Sequence, residues 1–313
     1  MFSGILPPLV TPLDEDQNVD REGLGTLVEH VLDGGVHGVF VLGTSGEGPA
    51  LSLNQQKEVI RTVSMKVSRR VPVLVGITHS CYRESLRIAQ CAADEGADAV
   101  VVAPQPYFGS QPSELIAYLK AMAKESPLPI VLYNIPANTQ VPISWKTVEL
   151  AAAIDGIVGF KDSSGDMVQL QKVRKAICAE KEFSIMVGPE ELIAESVLMG
   201  GDGGIPGGAN LFPALYTRLY DASVNQRFEE IRRLQGAVIE ISRSLYEIDS
   251  SNMRIIRTIK AALAQMGVCK PIMSFPFGQF GPRENEILVE RLESVISTVN
   301  EVLAETEYTV AEA

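Results

Sequence analysis

The segment Ile157-Val158-Gly159-Phe160-Lys161-Asp162-Ser163-Ser164-Gly165 carries one lysine at the end of an apolar run that breaks into a polar turn. An ammonium buried in such a strand is costly unless its pKa falls or it finds a partner. An uncharged amine in a dry pocket is a nucleophile toward carbonyl carbon. Lys161 is therefore the candidate Schiff-base lysine. That chemistry also asks for a proton shuttle, a holder for an anionic substrate group and a pocket poor in water. Tyr133, at the end of the apolar run 129–134, can both donate and accept a proton. Gly43-Thr44-Ser45-Gly46-Glu47 ends another such run, and its hydroxyls and backbone N–H groups suit the carboxylate of an α-keto acid. Each feature has a plainer reading: Lys161 as a rim residue paired with Asp162, Tyr133 as a rim aromatic, Gly-Thr-Ser-Gly as a tight turn. Their joint placement at strand ends favours the chemical reading.

The elements that must position these groups alternate along the chain. Short apolar, β-branched runs at 4–11, 38–43, 72–77, 98–103, 129–134, 156–161, 184–188 and 203–206 are predicted strands. Amphipathic segments lie between them; Leu24, Leu27, Val28 and Val31 recur at helical spacing. Ser52 and Ser144 sit where helices would be capped, and Gly34-Gly35, Gly96 and Gly200-Gly201 where they would end. Eight strand–helix units predict an α/β fold, a (β/α)8 TIM barrel with extra C-terminal helices. An open doubly wound sheet is the alternative, opposed by the number of units and by the lack of G-x-G-x-x-G after the first strand. Residues 1–225 would form the barrel carrying the active site. Residues 226–313 would form a helical extension, with helices near 226–247, 252–266 and 284–304 and a loose acidic tail from Glu305.

Bulk composition narrows the partners. The chain of 313 residues has a net charge of −12, which opposes binding to a nucleic-acid backbone. No apolar run is long enough to span a membrane. Cys81, Cys91, Cys178 and Cys269 form no C-x-x-C pair and are expected to be free thiols. With no basic, cleavable leader at Met1-Phe2-Ser3, a cytoplasmic location is expected. His30, His37 and His79 are scattered, without metal-site spacing, so no metal is expected. The glycine run Gly203-Gly204-Ile205-Pro206-Gly207-Gly208 could grip a phosphate or let backbone approach a small substrate.

Three motifs together resemble the dihydrodipicolinate synthase and N-acetylneuraminate lyase family of Schiff-base aldolases: Gly43-Thr44-Ser45-Gly46-Glu47, Tyr133-Asn134-x-Pro136 and Lys161-Asp162-Ser163-Ser164-Gly165. The similarity spans roughly residues 4 to 300. It implies a pyruvate imine on Lys161 with no other cofactor, and a proton relay through Tyr133 hydrogen-bonded to Thr44. Gly43 and Ser45 would hold the keto-acid carboxylate, with the Ile205 carbonyl near the imine. The resemblance also implies that an aromatic of Pro106-Tyr107-Phe108 crosses a dimer interface within a tetramer built as a dimer of dimers. Members of the synthase branch read Pro-Tyr-Tyr there; here the second tyrosine is Phe108, which cannot pass a proton, so Tyr107 or a water would have to take that part of the relay. That branch also places an arginine where this chain has Asn138. Losing a guanidinium clamp disfavours a second carboxylate. The expected activity is thus an aldolase joining pyruvate and an aldehyde, or cleaving a 2-keto-3-deoxy sugar acid or 4-hydroxy-2-oxoglutarate. Condensation of pyruvate with aspartate semialdehyde is second and a dehydratase third. A keto-acid-binding barrel without catalysis is the reading from another class.

Overall fold

A computed structural model describes residues 1–177 and 182–311. Eight parallel strands are present: β1 Gly4–Ile5, β2 Val39–Val41, β3 Val73–Gly76, β4 Ala99–Val102, β5 Ile130–Asn134, β6 Ile157–Asp162, β7 Ser184–Val187 and β8 Gly203–Gly204. They pair in sequential order from β2 to β8, and β8 pairs with β1. A bridge from Pro8 to Phe40 joins the first strand region to β2 and closes the ring. This closure excludes the open sheet and gives the (β/α)8 barrel. Each strand lies within its predicted run except β6, which continues one residue past 161 to Asp162. β1 is much shorter than 4–11 because Pro7 and Pro8 supply no N–H to a ladder. The closing bonds use the Pro7 carbonyl and the Leu9 N–H instead, both paired with Phe40.

The helices are α1 Arg21–Asp33, α2 Leu53–Val67, α3 Tyr82–Asp94, α4 Pro112–Glu125, α5 Pro136–Thr139, α6 Trp145–Ala152, α7 Met167–Ala176, α8 Ile193–Leu198, α9 Pro213–Val224, α10 Phe228–Leu245, α11 Arg254–Gln265 and α12 Pro282–Ala311. The expected caps at Ser52 and Ser144 form, each side chain accepting from the backbone N–H three residues on. The last helix runs through Ala311 where a loose tail was expected. No glycine or proline interrupts the chain after Pro282, so nothing in the sequence stops it.

Strand alternation creates two cores. Leu6, Phe40, Leu74, Val101, Val131, Met186 and Ile205 fill the barrel interior. Val39, Val41, Val100, Leu132 and Phe160 face outward under the helices. Burial on both sides explains the near-continuous apolar strands. α10 packs on α9 and α12, and α11 packs on α12 and on the 310 turn Gly207–Asn210. The extension therefore reaches the barrel mouth. Cys81, Cys91 and Cys269 are free thiols; Cys178 lies outside the described residues. Among the described residues no helix is long and apolar enough to cross a membrane.

Candidate active site

On β6, Gly159 and Lys161 point into the barrel while Phe160 points out. Tyr133 is the register neighbour of Lys161 on β5, as Val131 is of Gly159. The Lys161 side chain crosses the interior with its Nζ 4.1 Å from the Tyr133 ring centre and 4.9 Å from that of Phe40. It is 4% exposed, so water reaches it poorly. Burial lowers its pKa, and the charge and hydrogen bond of Tyr133 partly oppose that shift.

The plainer pairing of Lys161 with Asp162 does not form. Alternation sends Asp162 to the other face, where it accepts from Asn134 Nδ2 (2.8 Å), the Ser164 N–H (3.0 Å) and the Ser164 hydroxyl (2.9 Å). Asn134 Oδ1 accepts the Ile143 N–H at 3.0 Å, tying β5 to the loop before α6. A second buried lysine, Lys260, makes the contrast plain: it is ion-paired with Glu47. Among the described residues Lys161 has no carboxylate partner. A desolvated amine without a counter-charge, beside a phenol, can add to a carbonyl carbon.

Lys161 shares a cavity of about 540 Å³ with Thr44, Ser45, Tyr133, Asn138 and Ile205. An adjoining cavity of about 350 Å³ is lined by Gly43, Thr44, Tyr133 and Asn138 and by the apolar Leu42, Ile135 and Met253. Seven of the eight residues singled out from sequence thus converge at the barrel mouth. Tyr107 does not. It is 90% exposed, at φ 80°, and packs edge-on against Phe108 with ring centres 4.8 Å apart.

The expected Thr44–Tyr133 hydrogen bond is replaced by another partner. Ser163 Oγ donates to the Tyr133 hydroxyl at 3.2 Å. The Ser163 N–H meanwhile donates to the Asn134 carbonyl at 2.8 Å, extending the β5–β6 ladder. Gly188 makes room for this arrangement, since a Cβ there would lie 1.9 Å from Ser163 Oγ. Sequence reading missed Ser163, which looked like one more polar turn residue, and Phe40, which looked like plain core.

Glu190 was missed as well. It lines the Lys161 cavity and is buried. It accepts from the Tyr216 hydroxyl (2.6 Å), the Tyr246 hydroxyl (3.1 Å) and the Gly208 N–H (2.7 Å). Burial pushes its pKa up to about 7, against the pull of those hydrogen bonds. It joins the loop after β7 to the loop after β8, to α9 and to the end of α10. Among the described residues no three His, Cys, Asp or Glu side chains are grouped to hold a metal ion.

The description "Dihydrodipicolinate synthetase family" belongs to the family model that matches residues 1–295. A 4-hydroxy-tetrahydrodipicolinate synthase of Magnetococcus marinus is 32% identical over 276 residues, 88% of this chain and 92% of the relative. A DapA-like lyase of Halobacterium salinarum is 33% identical over 242 residues, 77% of this chain and 79% of the relative. Among solved structures, dihydrodipicolinate synthase from the commensal bacterium Bacteroides thetaiotaomicron matches with a TM-score of 0.91 at 44% identity, over 94% of this chain and 98% of that one. YagE, a prophage protein of the dihydrodipicolinic acid synthase family from E. coli K12 solved in complex with pyruvate, matches with a TM-score of 0.89 at 28% identity, over 94% and 99%. Fold and site define a (β/α)8 barrel with a lysine buried at its mouth. The chain belongs to the dihydrodipicolinate synthetase family, and it is a lyase of that family.

Proposed function

We propose that the protein is a Schiff-base lyase in which Lys161 condenses with the carbonyl of pyruvate or of a larger 2-oxo acid. The observation that carries this reading is a buried lysine without a carboxylate partner, lying against Tyr133 in a shared cavity. The amine lone pair adds to C2 of the keto acid to form a carbinolamine, and loss of its hydroxyl as water gives the imine. In the cleavage direction the bond between C3 and C4 breaks, its electrons pass into the imine to give an enamine, and an aldehyde leaves. Protonation at C3 and hydrolysis return pyruvate and the free amine. Tyr133 moves the protons. Because Ser163 donates to the phenol oxygen, the phenolic hydrogen is left to face the substrate. The Gly43–Glu47 turn receives the carboxylate through Ser45, Thr44 and nearby backbone N–H groups, and Ile205 flanks the imine. No cofactor beyond the covalent imine enters the scheme.

Asn138 at the shared edge of both cavities favours a hydroxylated aldehyde over one bearing a carboxylate. We therefore place aldol cleavage of a 2-keto-3-deoxy sugar acid or of 4-hydroxy-2-oxoglutarate first. Condensation of pyruvate with aspartate semialdehyde is the second reading. It is favoured by the exposed Arg254, which also lines the Lys161 cavity, and by the names of the relatives. The exposed Tyr107–Phe108 pair supports a homo-oligomer in which a second copy covers this segment and brings Tyr107 toward a neighbouring site. A tetramer in the cytoplasm completes the reading. The test is pyruvate release from a panel of 2-oxo acids, beside condensation with aspartate semialdehyde, each against Lys161→Ala. Turnover of a hydroxylated 2-oxo acid supports the first reading, and preferential use of the semialdehyde supports the second. Binding of pyruvate without turnover of any substrate would leave a keto-acid-binding barrel.

A further inference from the structure

The second buried lysine has no place in the imine chemistry. Lys260 projects from α11, and its side chain and that of Glu47 are both fully buried. Its ammonium pairs with Glu47 Oε1 and donates to the Ile272 carbonyl at 2.6 Å. Glu47 Oε2 accepts the N–H (2.8 Å) and the hydroxyl (2.7 Å) of Ser274. Both carboxylate oxygens are thus held by residues from the C-terminal part of the chain, more than two hundred positions away.

Glu47 is itself the last residue of the turn that begins at Thr44. Its N–H donates to the Thr44 carbonyl at 3.0 Å, and its backbone is left-handed at φ 55°. A non-glycine residue held there needs surrounding structure to fix it. The adjacent Gly46 carbonyl accepts the Thr11 hydroxyl at 2.7 Å. Gly48 cannot carry a side chain, because a Cβ would lie 2.2 Å from the Leu42 carbonyl oxygen. The turn is therefore clamped from the barrel side by close backbone packing and from the extension by Lys260 and Ser274.

A buried ion pair is weak ground for stability, since packed apolar residues of similar volume do as well. What Lys260 supplies is a counter-charge for Glu47. A turn that receives a substrate carboxylate cannot also hold an unneutralised carboxylate in a poorly solvated site, because like charges there repel strongly. Building on the imine reading above, we infer that Lys260 and Ser274 are positioning residues: acting through Glu47, they set the place and cancel the charge of the Thr44–Glu47 turn for the keto-acid carboxylate. The helical extension thereby completes the pyruvate subsite.

The experiment measures borohydride-trapped pyruvate on Lys161 as a function of pyruvate concentration. It compares the full-length wild type with Lys260→Met, Ser274→Ala and the double variant Glu47→Gln/Lys260→Met, each checked for folding by circular dichroism. Lys260→Met is expected to raise half-saturating pyruvate about tenfold or more, the size of a lost charge-assisted contact, with the trapping rate at saturation little changed. Ser274→Ala is expected to raise it less, about threefold, because the Ser274 N–H and the Lys260 ammonium still hold the Glu47 carboxylate. The double variant, which removes both charges, is expected to recover most of the loss. Unchanged half-saturation in folded Lys260→Met and Ser274→Ala overturns the inference. So does a loss that the double variant leaves undiminished, since that reduces the pair to packing. Should Lys260→Met not fold, Ser274→Ala and the double variant decide by the same criteria. An absence of any adduct in the wild type instead sinks the imine reading, and this inference with it.

Discussion

Replacing Ser163 by alanine isolates one contact in the proposed proton path. The hydroxyl donates to Tyr133 at 3.2 Å, a length typical of a weak neutral hydrogen bond. Such a bond contributes about 0.5–1.5 kcal/mol net. Since each 1.4 kcal/mol is tenfold, the expected loss is roughly two- to twelvefold. The loss should fall on kcat, because Tyr133 is the proposed proton carrier, while KM for the keto acid stays nearly fixed. Stability should change little, as the Ser163 N–H still donates to the Asn134 carbonyl and no bulk is added beside Gly188. Tyr133→Phe sets the scale, since removing a general acid–base group costs about 10²–10⁴-fold. Steady-state kinetics of pyruvate release for both variants make the comparison. An unaltered kcat in Ser163→Ala, or a change confined to KM, refutes the positioning of the phenol by Ser163. A loss equal to that of Tyr133→Phe refutes it too, because Ser163 would then be carrying the proton itself.

Three other outcomes are expected. Burial lowers the Lys161 pKa, so trapping of the pyruvate adduct should rise with pH and level off below the ordinary lysine value of 10.5; a rise that continues to that value contradicts the buried amine. The Glu190 pKa is raised from 4.5 to about 7, so its contribution to stability is present below pH 4.5 and lost as pH rises through about 7. Urea unfolding should weaken by on the order of 3 kcal/mol across that window, and Glu190→Gln should flatten the slope, whereas an identical slope in the variant removes Glu190 as its cause. Asn138→Arg should shift selectivity toward aspartate semialdehyde by about one to two decades, the value of a charge-assisted hydrogen bond; competition between the two aldehyde classes reads this, and no shift counts against Asn138 as a selector.

Much of the site was legible because (β/α)8 chemistry gathers at strand ends, and strand ends are visible as apolar runs breaking into polar turns. Lys161, Tyr133 and the Gly43–Glu47 turn were found that way. The hidden residues share one cause: their meaning lies in partners far away in sequence. Ser163 matters because β5 and β6 lie side by side with Tyr133 and Lys161 in register. Glu190 and Lys260 look like ordinary charges in helical stretches until α9, α10 and α11 fold over the barrel mouth. Only three-dimensional packing shows that both are buried. Tyr107 shows the converse. Its motif is plain in sequence, yet one chain alone leaves the ring in solvent, because none of the described residues covers that loop.

The central claim is that the amine of Lys161 is uncharged at neutral pH and bonds covalently to the keto acid. The most direct test incubates the protein with pyruvate, reduces with borohydride and maps the modified peptide by mass spectrometry. The account requires one stable pyruvate-derived increment on Lys161 and none in Lys161→Ala. Folded protein that binds pyruvate yet stays unmodified at Lys161, or carries the increment on Lys260 instead, contradicts it.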